Sequence, residues 1–522
     1  MIQIVILFSF ALLIRLYGIW WDMGLHFHPD ERMLIMVTDK ISSWSNLNPH
    51  FFNYGSLPIY LLRIFSQLSG QATYSNMLLV GRLLSVSFDI LTVFVIYKIS
   101  QKLFADRKIS YLAVFCYSVM FFPIQNSHFF VVDVLLTLLI TTVLYRIIIY
   151  QKTRNAKNLF LIGAFFGLSI ATKFTAIVFL PLILTMLVVL NFKNRRYLPA
   201  VISPVLMLIV STFFFFFIGM PYAVLDWKNF LKDVLMQIQM NSNPYIFPYT
   251  LQYVGTLPYW YYLKSIVVFG IGPFVTLLFL TGIYFITKKL KTYWIVILFY
   301  LFYFLVIGRS EVKFMRYMLP LYPFFAITAG YGLHHFKKRA VVGLFCLLMF
   351  TYTLMFLAIY HRQHTRLTAT DWIINNVPNN SVIATEHWDD RLPAVGQENY
   401  QFLELTLYDQ PDDKYKWQIL FKKLLLSDYL VIASNRLYTP IQKLSDCARF
   451  KVCYPNASEY YRKLFRGDEI IPGYRFKKIR EFTSYPTINI LGMSWQFPDD
   501  QADESFTVYD HPKVMIFKKE RL

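Results

Sequence analysis

Long apolar runs separated by short polar connections dominate this chain up to about Tyr360. About eleven of them approach the roughly 20 residues that a helix needs to cross the hydrocarbon core of a bilayer. The first extends from Ile2 to Trp20, and the others begin near Met77, Ile109, Val131, Asn158, Phe174, Leu198, Leu263, Tyr293, Tyr317 and Ala340. The first run is too long for a signal-peptide core and lacks a small-residue cleavage site, so it reads as an uncleaved span. The stretch from Asn158 to Leu190 is broken only at Thr172-Lys173, and both of its halves are short. After Tyr360 the pattern changes to polar sequence with short alternating runs such as Tyr429–Ala433 and turn residues such as Pro378-Asn379-Asn380. The expected fold is therefore a polytopic α-helical membrane protein over residues 1–360, followed by a soluble α/β domain over 361–522. A domain of about 160 residues is large enough for its own core. Residues 21–76 and 221–262 form the two large polar connections expected in the membrane part.

Composition agrees with that class. Of the 522 residues, 56% are hydrophobic and 16% charged, and the mean hydropathy is +0.43, outside the range of soluble domains. The formal charge of +20 comes without a basic stripe interleaved with exposed aromatics, which argues against a nucleic-acid partner. Lys and Arg instead cluster between apolar runs, at Lys98, Lys102, Arg107 and Lys108; Lys152, Arg154 and Lys157; Lys193, Arg195 and Arg196; Lys288, Lys289 and Lys291; and Lys337, Lys338 and Arg339. These clusters fall at every second connection, so the positive-inside rule makes them and the N-terminus cytoplasmic. Asp30, Glu31, His128, Asp133, Lys173, the Pro221–Tyr262 loop, the Arg309–Arg316 segment and everything after Tyr360 then reach the outer face. Four cysteines with no C-x-x-C exclude a disulfide scaffold and a cysteine zinc site. Cys116 and Cys346 lie in apolar runs, while Cys447 and Cys453 could pair if their domain is outside the cytoplasm.

The residues with chemical potential gather on that outer side. In His26-Phe27-His28-Pro29-Asp30-Glu31, a carboxylate pair with flanking imidazoles follows the first span. An ionisable group beside hydrocarbon is costly unless it faces protein or water, so one of these acids suits a general base; capping the next helix is the structural alternative. Asn126-Ser127-His128 with Asp133 forms a second acidic position. There, convergent oxygen ligands could hold a divalent cation, with His28 and His128 as further substrate or metal contacts, or Asp133 could simply favour a helix N-terminus. Lys173 stands alone in an apolar stretch, and Arg309, Lys313 and Arg316 flank an outer helix end, where a lipid phosphate would supply the anion they need. The aromatic loop Pro244–Tyr249 and Pro258–Tyr262 fits an interfacial belt better than a sugar platform. In the tail, Glu386, His387 and Asp389 follow a strand-like run and read as a solvated loop.

Taken in order, His28-Pro29-Asp30-Glu31, Asn53-Tyr54-Gly55-Ser56-Leu57-Pro58, Gly81-Arg82-Leu83-Leu84-Ser85, Ser127-His128 with Asp133, Ala171-Thr172-Lys173-Phe174-Thr175 and Lys313-Phe314-Met315-Arg316-Tyr317-Met318-Leu319-Pro320 resemble the bacterial GT-C glycosyltransferases. The resemblance is to the phospholipid-carrier-dependent branch, which includes protein O-mannosyltransferases and lipid A aminoarabinose transferases. It covers about residues 1 to 360, and no MIR-type β-trefoil repeat accompanies it.

The resemblance implies an inverting transfer of a sugar from a polyprenyl phosphate to a hydroxyl of a protein, lipid or envelope glycan. Asp30 would deprotonate the acceptor, with Glu31 beside it and Asp133 as the second acid. Lys173, Lys313 and Arg316 would stabilise the leaving phosphate, and Arg82 to a lesser degree. No cofactor is required by this chemistry, and a divalent cation stays open. A secondary transporter would place its charges near the midplane in two repeated halves, a pattern not seen here. An envelope scaffold protein would function without Asp30.

Overall fold

The computed structural model describes all residues except 1, 42–45, 193–198 and 491. The expected cytoplasmic cluster Lys193, Arg195 and Arg196 therefore lies outside the described residues. The chain falls into two compact units. The first comprises Met1–Trp20, His28–Asn241 and Leu257–Leu354, and the second Trp21–Phe27, Ser242–Thr256 and Met355–Leu522.

The first unit is helical, as its uninterrupted apolar runs require: backbone polar groups inside a bilayer must be paired within the segment. Among the described residues, six segments are long and apolar enough to cross a membrane: Tyr74–Phe104, Val132–Thr153, Phe174–Asn191, Ile202–Gly219, Leu290–Ile307 and Arg339–Asn376. Two more spans arise if each bent pair counts once, namely Arg107–Ser118 with Phe121–Ser127, bent by 62°, and Trp260–Gly270 with Gly272–Thr287, bent by 118°. The sequence pattern counts more spans because it includes three runs whose helices are short. These are Ile2–Leu16 at 15 residues, Ala156–Thr172 at 17 and Tyr322–His334 at 13. The sharper bend has a backbone cause: Gly272 sits at φ +77, and a Cβ there would meet the Tyr352 ring at 2.8 Å.

One buried charge pair joins the helices. Arg15, on the first helix, is bound to Asp89 on Tyr74–Phe104, and the Tyr117 hydroxyl donates to Asp89 Oδ1 at 2.6 Å. Three separate helices are thereby tied through one carboxylate, which meets the demand that buried ionisable groups have partners.

The second unit contains a mixed sheet of strands β1 (Val382–Glu386), β2 (Gln401–Leu405), β3 (Tyr429–Ile432), β4 (Glu469–Ile471), β5 (Tyr474–Phe482) and β8 (Val514–Arg521), in the order β2-β1-β3-β8-β5-β4. Strands β6 (Thr487–Ile490) and β7 (Met493–Gln496) form a separate hairpin. β1 runs parallel to both β2 and β3, and the remaining pairs are antiparallel. The central strands are buried on both faces, so they read as continuous apolar runs. Leu430, Ile432, Met515 and Phe517 enter one core with Trp417, Leu420 and Tyr461. Tyr429, Val431, Val514 and Ile516 enter the other with Ala369 and Ile373. Cys447 and Cys453 form a disulfide.

Candidate functional site

Four segments far apart in sequence bring charged residues together in the first unit. Asp30 lies in the first turn of the helix Pro29–Lys40, where Pro29 presets the backbone and the His28 ring accepts a hydrogen bond from the Glu31 amide at 3.4 Å. Asp133 occupies the first turn of Val132–Thr153. Lys173 ends the helix Ala156–Thr172 in an extended conformation, before the 3-10 turn Phe174–Phe179. Arg316 stands in the 3-10 segment Met315–Leu321. Each thus sits at a helix end or break, where the chain can turn a polar group towards an opening.

The four side chains form a row of alternating sign. Arg316 Nη1 lies 2.8 Å from Asp30 Oδ2, and its Nε is 3.9 Å from Asp133 Oδ2. Lys173 Nζ donates to Asp133 Oδ1 at 2.8 Å. Aromatic faces complete the cations' surroundings: Lys173 is 4.5 Å from the Tyr317 ring centroid and Arg316 is 4.6 Å from that of Phe314. Accessibility is greatest at the Asp30 end, with the Asp30 side chain 23% exposed, Arg316 11%, Asp133 2% and Lys173 10%. Burial of Asp30, outside the spans, opposes its ionisation. Arg316, His28, the Tyr54 hydroxyl and Lys173 together outweigh burial and hold the carboxyl below its ordinary range.

Tyr54, within the Asn53–Pro58 motif, has no charge or position beside an apolar run that marks it in the sequence. Its place is set by Gly55, whose amide donates to the Thr172 carbonyl at 3.0 Å. A Cβ on Gly55 would fall 1.9 Å from the Ala171 carbonyl oxygen. The turn therefore packs backbone to backbone on the Thr172-Lys173 break, which brings Tyr54 to the carboxylate end of the row. The glycine within Asn53–Pro58 is the sequence signal for that contact.

The other expected site residues are placed differently. Glu31 and Arg82 are paired with each other, with Nε to Oε1 at 3.0 Å and Nη2 to Oε2 at 2.8 Å. Glu31 Oε1 also accepts from the Phe130 amide at 2.9 Å, and Arg82 Nη1 donates to the Ile19 carbonyl at 2.9 Å. Both side chains are fully buried. The ring nitrogens of His128 each lie 2.8 Å from a backbone carbonyl oxygen, of Ile124 and Tyr17. His28 caps its helix and packs against Phe129 at 4.7 Å between ring centroids. Lys313 is buried with its amine donating to the Glu311 carbonyl at 2.8 Å. Among the described residues, no group of three or more His, Cys, Asp and Glu side chains is arranged to hold a metal.

The chain is multi-pass, and its fold, a multi-helix membrane unit joined in one chain to a sheet domain, is similar to that of two solved transferases, the fold that the GT-C resemblance leads one to expect. Residues 56–218 match the family described as dolichyl-phosphate-mannose-protein mannosyltransferase. That segment holds Arg82, His128, Asp133 and Lys173, but not Asp30 or Arg316. Among characterised proteins, the undecaprenyl phosphate-alpha-4-amino-4-deoxy-L-arabinose arabinosyl transferase 1 of Proteus mirabilis is 22% identical over 347 residues. The match covers 64% of this chain and 60% of that relative, less than two thirds of its length. The structure of ArnT from Cupriavidus metallidurans in the apo state aligns with a TM-score of 0.50 at 12% identity, over 84% of this chain and 94% of that one. Archaeal oligosaccharyltransferase AglB from Archaeoglobus fulgidus, in complex with an inhibitory peptide and a dolichol-phosphate, aligns with a TM-score of 0.50 at 11% identity, over 95% and 74%.

Proposed function

We propose that this protein is an inverting glycosyltransferase that moves a sugar from a polyprenyl phosphate to a hydroxyl acceptor, a protein, lipid or envelope glycan, on the outer face of the membrane. The observation that carries this reading is the row Asp30, Arg316, Asp133 and Lys173, with its carboxylate end the most exposed. An ionised carboxylate and two cations within one row supply what displacement at a lipid-linked sugar needs. Asp30 takes the proton of the acceptor hydroxyl as that oxygen bonds to the anomeric carbon. The bond from that carbon to the phosphate oxygen breaks, its electron pair stays on the phosphate, and the configuration inverts. Arg316 and Lys173 offset the charge that grows on the phosphate, and Asp133 holds both cations in place. A lipid phosphate leaves without protonation, so the second acid of a glycoside hydrolase is unnecessary.

The similar proteins support a lipid phosphate as the donor's handle. The matching family is named for dolichyl-phosphate-mannose, the Proteus relative for an undecaprenyl-phosphate-linked aminoarabinose, and the AglB structure holds a dolichol-phosphate. The alternating Lys/Arg clusters and the Cys447–Cys453 disulfide support an outward-facing site and second unit. The test is sugar transfer by purified full-length protein and its Asp30→Asn variant, given radiolabelled polyprenyl-phosphate sugars and an envelope extract. Transfer from one donor, lost in the variant, is expected. Absence of transfer from every common donor would overturn the reading.

A further inference from the structure

In the first unit, the helix Trp227–Ser242 follows the apolar span Ile202–Gly219 after a turn at Met220 and Pro221. Its two faces differ in kind. The inward face is committed to protein: Phe230 packs edge-on against Phe52 and Phe174, at 5.9 Å and 5.6 Å between ring centroids. Asp233 Oδ2 accepts from the Phe52 amide at 2.9 Å. Asp226, just before the helix, accepts from Asn48 Nδ2 and Asn229 Nδ2, each at 2.9 Å. Both acids of the stretch are therefore engaged by neighbouring groups.

The outward face is apolar and basic. Trp227, Leu231, Leu235 and Met236 are each 44% to 56% exposed, and Lys228 and Lys232 stand exposed beside them, one turn apart. Their helical spacing puts all six on one side, where they line a single open surface. Among the described residues, neither lysine side chain forms an ion pair or a hydrogen bond. Apolar residues and cations are thus sorted onto one face and carboxylates away from it.

Two observations say what covers that face. The first is continuity: Ile209, Phe213 and Phe214 of the preceding span are at least half exposed, as lipid-facing side chains are, and exposed Val224 and Leu225 carry the apolar surface across the turn to Trp227. The second is charge. Lys228 and Lys232 call for an anion, and at the end of a lipid-facing span the anion at hand is a phospholipid head group. A tryptophan and leucines beside a lysine pair suit a helix lying in the interface, with its apolar edge at the acyl chains and its ammonium groups level with the phosphates.

We infer that the outward face of Trp227–Ser242 docks on the bilayer interface and binds anionic phospholipid head groups through Lys228 and Lys232. The inference goes beyond the transfer reading and does not depend on it, because docking is measured without turnover.

The test is hydrogen exchange by mass spectrometry on the full chain, in lipid nanodiscs of phosphatidylcholine alone and with about one third phosphatidylglycerol. Docking that favours the folded helix slows exchange of its amides in proportion. Peptides within 227–242 should exchange roughly tenfold more slowly in the anionic discs, as two lysines near a charged surface imply, and about 1 M salt should remove the difference. Lys228→Gln/Lys232→Gln should abolish it, Lys228→Arg/Lys232→Arg should keep it, and Asp30→Asn should leave it unchanged. Equal exchange in the two discs, or slowing that survives in the glutamine variant, would overturn the assignment. So would slowing produced by a trace of polyprenyl phosphate but not by phosphatidylglycerol, which would assign the face to the donor lipid. Slowing seen only with two protein copies per disc would assign it to a second copy instead.

Discussion

Asp30 and Glu31 are neighbours in one helical turn, yet they enter two regions that treat charge in opposite ways. Around Glu31 every group is used: a two-pronged contact with Arg82, an amide from Phe130, and no exposure of either side chain. Around Asp30 the contact with Arg316 is single and the carboxylate keeps an open side. Arg316 is itself shared with Asp133, which also holds Lys173. A closed pair of this kind ties its two helices together. An open row of shared charges can exchange a partner for a substrate without exposing an orphaned ion, which is the physical condition for chemistry at a membrane boundary.

The comparison is sharpened most by variants on its two sides. Asp30→Asn keeps the shape and removes the proposed base, so transfer should fall by roughly 10²–10⁴-fold while detergent thermal stability changes little; near-normal turnover would remove Asp30 from that role. Arg82→Met should do the reverse. It leaves the buried Glu31 carboxylate without its cation, at a cost of about 3–5 kcal/mol, and Glu31→Leu added to it should restore much of the loss. If Arg82→Met unfolds no more readily than wild type, the closed pair is not structural. Lys173→Met should reduce affinity for the lipid-phosphate donor roughly tenfold, in line with the loss of one charge-assisted hydrogen bond, and leave acceptor affinity alone. Unchanged donor affinity would reassign Lys173 to packing. Thorough chelation should leave transfer intact if, as proposed, Lys173 and Arg316 meet the phosphate directly; activity lost on chelation and regained with a divalent ion would break that expectation.

The smallest effect concerns a closed cluster of the second unit, where His511 is clamped between Asp510 Oδ1 and Asp499 Oδ2. Burial pushes the His511 imidazole down, but Asp510 and Asp499 overcome it and raise its pKa to about 10 from an ordinary 6.5. A raised folded value favours the protonated form, so this contribution to stability is complete below pH 6.5 and fades as pH rises towards 10. Unfolding curves recorded across that window should show declining stability, and Asp499→Asn should flatten the decline. A pH-independent wild type would contradict the clamp.

Much of this was legible along the chain. The apolar runs are helical, the short halves around Thr172-Lys173 meet at a break, and the change of pattern after Tyr360 marks a sheet domain. Asp30, Asp133, Lys173 and Arg316 could each be picked out because an ionisable residue beside an apolar run is rare and costly. Glu31, Arg82 and His128 meet the same criterion, yet in this structure their polar atoms are met by one another or by backbone groups. One-dimensional pattern cannot tell an ion closed by its neighbours from one left open, since that depends on residues such as Phe130, Ile19 and Tyr17 whose backbone groups arrive from elsewhere.

Local outcomes follow from the amino-acid order alone: which runs must be helices, where a glycine or proline breaks them, and which acids stand at helix starts. Those follow from backbone sterics and from transfer energies that each segment settles alone. Only the tertiary structure decided that Arg316 meets Asp30 rather than Glu31, that Gly55 sets Tyr54 at the row, and that Asp233 turns inward to Phe52 while Lys228 and Lys232 stay outward. Electrostatic and hydrogen-bond pairing act over a few ångströms, and the residues concerned are brought within that range only when distant segments pack.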